Sequence, residues 1–345
     1  MLLYLHIPFC AKKCNYCNFN SYPGYRDYWE LYLSKLIEEF DHLQQRRPSK
    51  FETVFIGGGT PSLLPAPFYR KLMEHLSPYL LPGAEKSIEA NPNLSRRWLE
   101  EVAPLFNRIS FGVQSFDERK LNFLGRIHTP TQARRAVEWA AEAGFRNINL
   151  DLIYGVAGDS WELLERDLNI ALSLPITHIS AYSLTIEEGT PFASHPNPKL
   201  EDEELELRFI EAVASHLPQY EISNFGWICR HNLGYWQLKE YRGIGAGAVG
   251  FERGVRYYHH LSVEEYCWNP LPVEEEKIGE EELRVEKVLL GFRSIVGVEG
   301  AILTPPQLEK GFKLVEEGLL RWEGGRFYNP NFAIADRLAL ELLEG

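Results

Sequence analysis

At 345 residues, 45% of them apolar, the chain can bury a large core and suits one barrel-sized domain with a small appendage. Lys and Arg number 36 against 48 Asp and Glu, a net charge of −12, and that acidic surface excludes nucleic acid as the main partner because phosphate binding needs clustered cations. Five cysteines in a chain this long do not make a secreted disulfide framework, the N-terminal apolar run stops at Pro8 without a cleavage site, and no segment reaches membrane-spanning length. These features describe a cytoplasmic protein whose thiols stay reduced.

In chain order, residues 2–7 are apolar and β-prone, a buried strand that delivers the loop carrying Cys10, Cys14 and Cys17. A long amphipathic helix over 25–45 ends before Pro48, a second strand covers 53–56, and Gly57-Gly58-Gly59-Thr60-Pro61 follows it. A helix over 67–79 and a strand over 87–90, ending in Glu89, come next, then a helix over 95–105 with Ser95 as its N-cap. Strands over 108–113, 147–154 and 178–184 alternate with further helices, one near 161–173. An acidic helix over 201–216, one more strand at 220–224, and a proline-bearing acidic linker over 270–282 lead to the end. There, helices over 283–292, 305–317 and 333–343 and a hairpin over 319–328, turning at Gly324-Gly325, make a winged-helix-like appendage. Its acidity argues for a lid or packing role rather than DNA binding.

Strand, loop and helix repeat about six times, which implies a parallel sheet with right-handed crossovers. A polar or glycine-rich element stands at strand end after strand end: the cysteine loop, the triple glycine, Glu89, Gln114 and Asp151. A barrel gathers such positions on one rim, whereas an open doubly wound sheet spreads them along an edge. The expected fold is therefore α/β, a partial (β/α)6 TIM-like barrel over 1–269 with a small C-terminal α/β domain over 270–345.

The cysteines are spaced C-x3-C-x2-C. Three thiolates on one loop hold three irons of a [4Fe–4S] cluster and leave the fourth iron open to a ligand that is not protein. A Cys3His zinc site with His6 is the competing assignment, although His6 lies in the strand and the C-x3-C spacing is unusual for zinc. The arrangement resembles the signature loop of the radical S-adenosylmethionine (SAM) superfamily, in which SAM chelates the open iron. In that setting the glycine turn lets its backbone approach a ligand closely, since no Lys-Ser/Thr pair makes it a Walker loop. Thr60 adds a donor, Glu89 and Asp151 suit a ribose diol or an amine, and Gln114 and Arg126 suit the SAM carboxylate or adenine rim. The stretch 245–250 matches G-x-G-x-x-G but leads into a strand over 251–258, so it is no dinucleotide fingerprint; close backbone contact beside a cofactor explains it better. Within 229–250, His231, Asn232, Tyr235 and Trp236 combine an imidazole with two large aromatics, a set that suits ligating iron and stacking on a flat macrocycle, or else capping the barrel's last strand.

The stretches 4–17, 57–61, 89–92, 110–116, 124–128, 149–155 and 180–192 resemble those of the oxygen-independent coproporphyrinogen III oxidase family of radical-SAM proteins, and 270–345 resembles that family's small final domain. The resemblance implies SAM contacts at Tyr4, Gly58, Gly59, Thr60, Glu89, Gln114, Arg126 and Asp151. Two branches of the family differ. The dehydrogenase branch carries a fourth cysteine two residues after the third, where this chain has Phe19, and an extension ahead of its first strand. The HemW-type heme chaperones have C-x3-C-x2-C-x-F and H-N-x-x-Y-W, both present here; Val249 stands where they usually show histidine. The chaperone branch implies a protein that binds a [4Fe–4S] cluster, SAM and heme and passes heme to acceptor hemoproteins, membrane-bound respiratory enzymes among them, at the inner membrane face. The alternative is a dehydrogenase that makes protoporphyrinogen IX from coproporphyrinogen III by radical decarboxylation.

Overall fold

The computed structural model describes residues 1–344. In β1 (Leu2–Ile7) the side chains of Leu2, Leu3, Leu5 and Ile7 are fully buried, as a strand covered on both faces requires. The loop after it contains two short pieces, β2 (Phe9–Cys10) and β3 (Tyr22–Pro23), paired in parallel. There follow α1 (Trp29–Arg46), β4 (Phe51–Gly58), α2 (Ala66–Leu76), β5 (Leu80–Ala90), α3 (Arg96–Val102), β6 (Arg108–Gln114), α4 (Glu118–Phe123) and α5 (Pro130–Ala143). β7 (Asn147–Tyr154), α6 (Trp161–Leu172) and β8 (His178–Ser183) complete the expected alternation. Local chemistry sets the boundaries. Ser95 caps α3 by accepting from Trp98 N, and α5 starts with Pro130 inside a Thr129–Gln132 capping box and stops at left-handed Gly144.

Beyond β8 lie α7 (Glu203–His216), β9 (Asn224–Gly226), α8 (Arg230–Trp236), β10 (Tyr241–Ile244), β11 (Val249–Glu252), β12 (Val255–Tyr258), α9 (Val263–Trp268) and β13 (Glu274–Lys277). One 11-stranded sheet takes the order β13-β12-β11-β10-β1-β4-β5-β6-β7-β8-β9. Pairing is parallel from β10 through β8 and antiparallel outside that run, so the sheet curls into a partial barrel with an open seam. Three expectations need correction. The strand expected at 220–224 begins at Asn224 and runs antiparallel to β8. The stretch 251–258 is a hairpin of β11 and β12, turning at Arg253-Gly254. The expected linker over 270–282 contains β13, which pairs with β12 as the sheet's edge.

The C-terminal segment folds around its own core of Val288, Phe292, Leu314, Phe327 and Leu338. It comprises α10 (Glu280–Phe292), β14 (Val298–Glu299), α11 (Pro305–Glu316), β15 (Arg321–Glu323), β16 (Arg326–Tyr328) and α12 (Ala335–Leu343), with the three strands in one small sheet. Among the described residues no helix is long and apolar enough to cross a membrane.

A buried ionic network ties α1 to the segment that follows β10. Glu39 and His259 have fully buried side chains with Oε1 and Nε2 2.6 Å apart, while Glu39 Oε2 accepts from Tyr266 OH at 2.6 Å and Gly245 N at 3.0 Å. His259 Nδ1 donates to Ala248 O, which leaves Nε2 facing the Glu39 carboxylate. Burial works against the imidazolium, but the Glu39 charge and these hydrogen bonds outweigh it and raise its pKa above the usual histidine value. Glu39→Gln is expected to lower the unfolding free energy by about 3 kcal/mol at pH 6. A group that holds its proton more tightly when folded stabilises the fold below its unfolded pKa of about 6.5, and that contribution disappears as pH rises through the folded value. Denaturant melts of both proteins at pH 6 and pH 9 should therefore show the gap narrowing; a gap independent of pH rejects the charged pair.

Candidate cofactor site at the strand ends

The cysteine loop is fixed by backbone contacts before any cofactor is considered. Gly59 N donates to Ile7 O and Thr60 N to Phe9 O, each at 2.8 Å, so the glycine turn lies directly on the end of β1. A Cβ at Gly58, whose φ is +112°, would fall 2.6 Å from the His6 ring, and one at Gly59 would fall 2.7 Å from Phe9 O. The close approach that demands glycine is therefore that of the cysteine loop itself. Asn15 binds Phe123 O and Leu124 O, and Asn20 Nδ2 binds Ala246 O at 3.0 Å and Leu261 O at 2.9 Å. His6 Nε2 donates to Asn20 O at 2.8 Å, leaving Nδ1 to accept from Tyr4 OH at 2.9 Å. With both ring nitrogens engaged, His6 offers no lone pair to a Cys3His zinc site. Among the described residues, no set of three or more His, Cys, Asp or Glu side chains is placed to hold a single metal ion.

A cavity of about 420 Å³ opens between this loop and the barrel interior. Cys10, Cys14, Cys17, Gly58, Gly59, Thr60, Glu89, Gln114, Arg126 and Asp151 all line it, so the structure brings together all three cysteines and seven of the eight expected SAM residues. The eighth, Tyr4, opens instead on a second cavity. Cys10 Sγ lies 3.4 Å from Thr60 Oγ1, and Arg126 donates from Nη1 to Cys14 Sγ at 3.2 Å and from Nη2 to Gly112 O at 2.6 Å. Burial pushes the Cys10 and Cys17 thiols up. Glu89 Oε2 accepts from Gly58 N at 3.1 Å, and Asp151 Oδ1 accepts from Asn149 Nδ2 at 2.7 Å. Loss of water around Glu89, with the Asp151 charge adding to it, pushes its carboxyl up to about 8. Gln114 sits at a register shift between β6 and β7 with φ +69°, an uncommon conformation for a residue with a side chain, and its Oε1 is buried without a partner.

The second cavity, about 720 Å³, lies between the β10–β11 pair and α10. Tyr4, Tyr235, Tyr241, Phe251, Leu289 and Leu290 give it an apolar wall, Arg256 and Arg293 add cations, and Val249 lines it too. Gly58, Glu89 and Phe19 border both cavities. The H-N-x-x-Y-W set does not converge on one face. Asn232 lines the first cavity and Tyr235 the second, and Trp236 borders neither. His231 lies between them, 1% exposed, with Nδ1 2.7 Å from Thr53 Oγ1 and Nε2 2.9 Å from Tyr235 OH. Burial, with Arg108 nearby, lowers its pKa to about 3, so the ring is neutral and neither nitrogen is open to iron in this conformation. His231 thus ties β4 to α8 through Thr53 and Tyr235.

With this geometry in view, comparison with known proteins is direct. The model of the Radical SAM superfamily matches residues 4–171. The heme chaperone HemW of Escherichia coli (strain K12) is 41% identical over 265 residues, 72% of this chain and 69% of that protein. The chain belongs to the HemW family of radical-SAM proteins. HemW of Bacillus subtilis (strain 168) is 36% identical over 86% of this chain and 84% of its own length, and HemW of Mycobacterium tuberculosis (strain ATCC 25618 / H37Rv) is 35% identical over 94% and 89%. The solved structure of coproporphyrinogen III oxidase (HemN) from Escherichia coli superposes with a TM-score of 0.83 at 18% identity, over 99% of this chain and 89% of that one, and so shares the fold.

The radical-SAM family implies a [4Fe–4S] cluster and SAM, and the residues of this HemW family member fit both. Three thiols with no competing disulfide face one cavity, a cation stands on one of them, and an unpartnered amide oxygen and two carboxylates complete the wall. Arg108 and Asn224 line the cavity from outside the motifs, and Ser110, Asn149 and Ser180 line it from within them although the sequence assigned them no role of their own. Their signal is a period-two polar series, Arg108-Ser110-Gly112-Gln114 along β6 and Asn149-Asp151 along β7, hidden within otherwise apolar strands. Replacing any one of Cys10, Cys14 or Cys17 by alanine should remove the visible absorption and bound iron gained on anaerobic reconstitution, while Cys229→Ala and Cys267→Ala retain both. Stoichiometric zinc in a preparation that never takes up iron and sulfide rejects the assignment.

Proposed function

We propose that this chain binds heme beside a [4Fe–4S] cluster and SAM and hands the heme to acceptor hemoproteins, membrane-bound respiratory enzymes among them. The observation that carries this reading is the match to heme chaperones at 35–41% identity over most of both chains. Cys10, Cys14 and Cys17 would hold the cluster, which when bound offers one iron without a protein ligand. Thr60 would donate a hydrogen bond to the Cys10 thiolate and Arg126 would offset the charge on Cys14, and Arg126, Gln114, Asp151 and Glu89 receive the carboxylate, adenine rim, ribose and amine of SAM. Their positions at neighbouring strand ends on one cavity support these roles.

Heme belongs in the larger cavity. Its apolar wall removes a macrocycle face from water at about 25 cal/mol per Å², and Arg256 and Arg293 stand at its edge for propionates. Both arginines have carboxylate partners, Glu286 at 2.7 Å and Asp336 at 2.6 Å, that propionates would have to share. Within the H-N-x-x-Y-W set, Tyr235 touches the heme and His231 positions it through the hydroxyl hydrogen bond. Decarboxylation of coproporphyrinogen III is the second reading, favoured by the fold shared with HemN. Heme titration and coproporphyrinogen turnover on one anaerobic preparation separate the two: binding without turnover selects the chaperone.

Two outcomes test the residue roles. SAM should perturb the EPR signal of the reduced cluster, and Asp151→Ala should weaken SAM binding roughly five- to a hundredfold, the effect of ~1–3 kcal/mol for an unmatched polar group. Because the Glu89 carboxylate forms only as pH passes about 8, SAM affinity should rise between pH 7 and pH 9 in the wild type and stay flat in Glu89→Gln; equal pH profiles remove Glu89 from the site. For the heme motif, His231→Ala should melt earlier by ~1–3 kcal/mol, since the Thr53 and Tyr235 hydroxyls lose their partner, and its Soret maximum should not move. A displaced Soret band at unchanged melting temperature puts the iron on His231 instead.

A further inference from the structure

Arg108 opens β6 at the floor of the first cavity, 3% exposed, and its Nε has no partner. No carboxylate of the described residues lies within 4.0 Å of its guanidinium, although several acids surround it. Those acids are committed elsewhere. Glu85 accepts from Arg230 N at 2.9 Å, His231 N at 3.0 Å and Cys229 Sγ at 3.5 Å, and Asp151 accepts from Asn149 and Ser110. Burial opposes the positive charge and the surrounding acids outweigh it, yet none of them fills the guanidinium fork, whose donors are left for another acceptor. Beside it, Asn232 lines the same cavity with Nδ2 buried and unpartnered.

We propose that this floor is a carboxylate-binding subsite, with Arg108 as its cation and Asn232 as a second donor. The planar fork of a guanidinium matches a carboxylate bidentately, and an amide N–H placed alongside completes the acceptor's shell. The carboxylate of SAM is a poor candidate, because roughly 20 Å of strand separates the Cα atoms of residues 108 and 114 and Arg126 already stands at the cysteine rim. The occupant is a second molecule that carries a carboxylate: a small free acid, or the propionate arm of a tetrapyrrole reaching in from above. The inference needs no iron ligation and stands apart from the heme assignment.

The test uses the reconstituted full chain with SAM, probed with coproporphyrin III, its tetramethyl ester and sodium propionate. Porphyrin fluorescence should show the wild type binding the acid at least about tenfold more tightly than the ester. Arg108→Gln should erase that preference and Arg108→Lys should keep part of it. Displacement of the porphyrin by propionate identifies a subsite that accepts a free acid; failure to displace it identifies one that takes the arm of a macrocycle, and either result supports the subsite. Equal binding of acid and ester by the wild type, or a preference retained in Arg108→Gln, overturns it. If neither variant folds, Asn232→Ala replaces them: its preference for the acid must fall below that of the wild type, and an unchanged preference overturns the subsite. Heme titration alongside keeps the two ideas apart, because lost heme binding with the acid preference intact removes only the chaperone reading.

Discussion

Two backbone hydrogen bonds, from Gly59 and Thr60 to the carbonyls of Ile7 and Phe9, hold the site together. They join the loop that carries the cysteines to the glycine turn that borders the same cavity, so neither can shift without the other. Side chains larger than hydrogen at 58 and 59 would drive the two apart, which makes the triple glycine a joint between strands first and a ligand surface second. His6 finishes the joint. Its neutral ring spans from Tyr4 OH to Asn20 O and so ties the strand to the far end of the cysteine loop.

Much of this was legible in the sequence because strand ends recur with chemistry attached. The cysteine spacing, the glycine turn, Glu89, Gln114, Arg126 and Asp151 mark one rim, and the barrel places them there. What escaped notice was short or dispersed. β10 has four residues and its one partner nearby in sequence is β11, so nothing local announces that it also pairs with β1. Arg108 was hidden because a cation at the start of an apolar strand looks like a solvated end, whereas the parallel sheet turns it inward. His231 and Tyr235 stand four apart on a helix, a spacing that predicts mutual contact. They meet at 2.9 Å, and that contact occupies the nitrogen that a metal would need.

The polar interior distinguishes this barrel from one filled with aliphatic side chains. Ser110, Asn149, Asp151, Ser180 and Asn224 leave a polar-walled shaft between the cysteine rim and Arg108, and an adjoining cavity borrows Gly58 and Glu89 as part of its own wall. Any molecule in one compartment therefore alters the surroundings of Glu89, whose carboxyl is already displaced upward. The C-terminal segment contributes α10 to the second compartment only, so the two can change independently on their outer sides.

The pairing of β1 with β10 has a consequence for synthesis. The strand that bears the cysteine loop is an interior strand whose second neighbour, Tyr241–Ile244, emerges from the ribosome long after it, and Asn20 waits longer still for the carbonyls of Ala246 and Leu261. Until then β1 presents a bare edge and its loop lacks two of its anchors. Contacts this distant in sequence form slowly. The three thiols thus reach their finished arrangement only on a nearly complete chain, so a cluster held by them would be inserted after translation rather than alongside it.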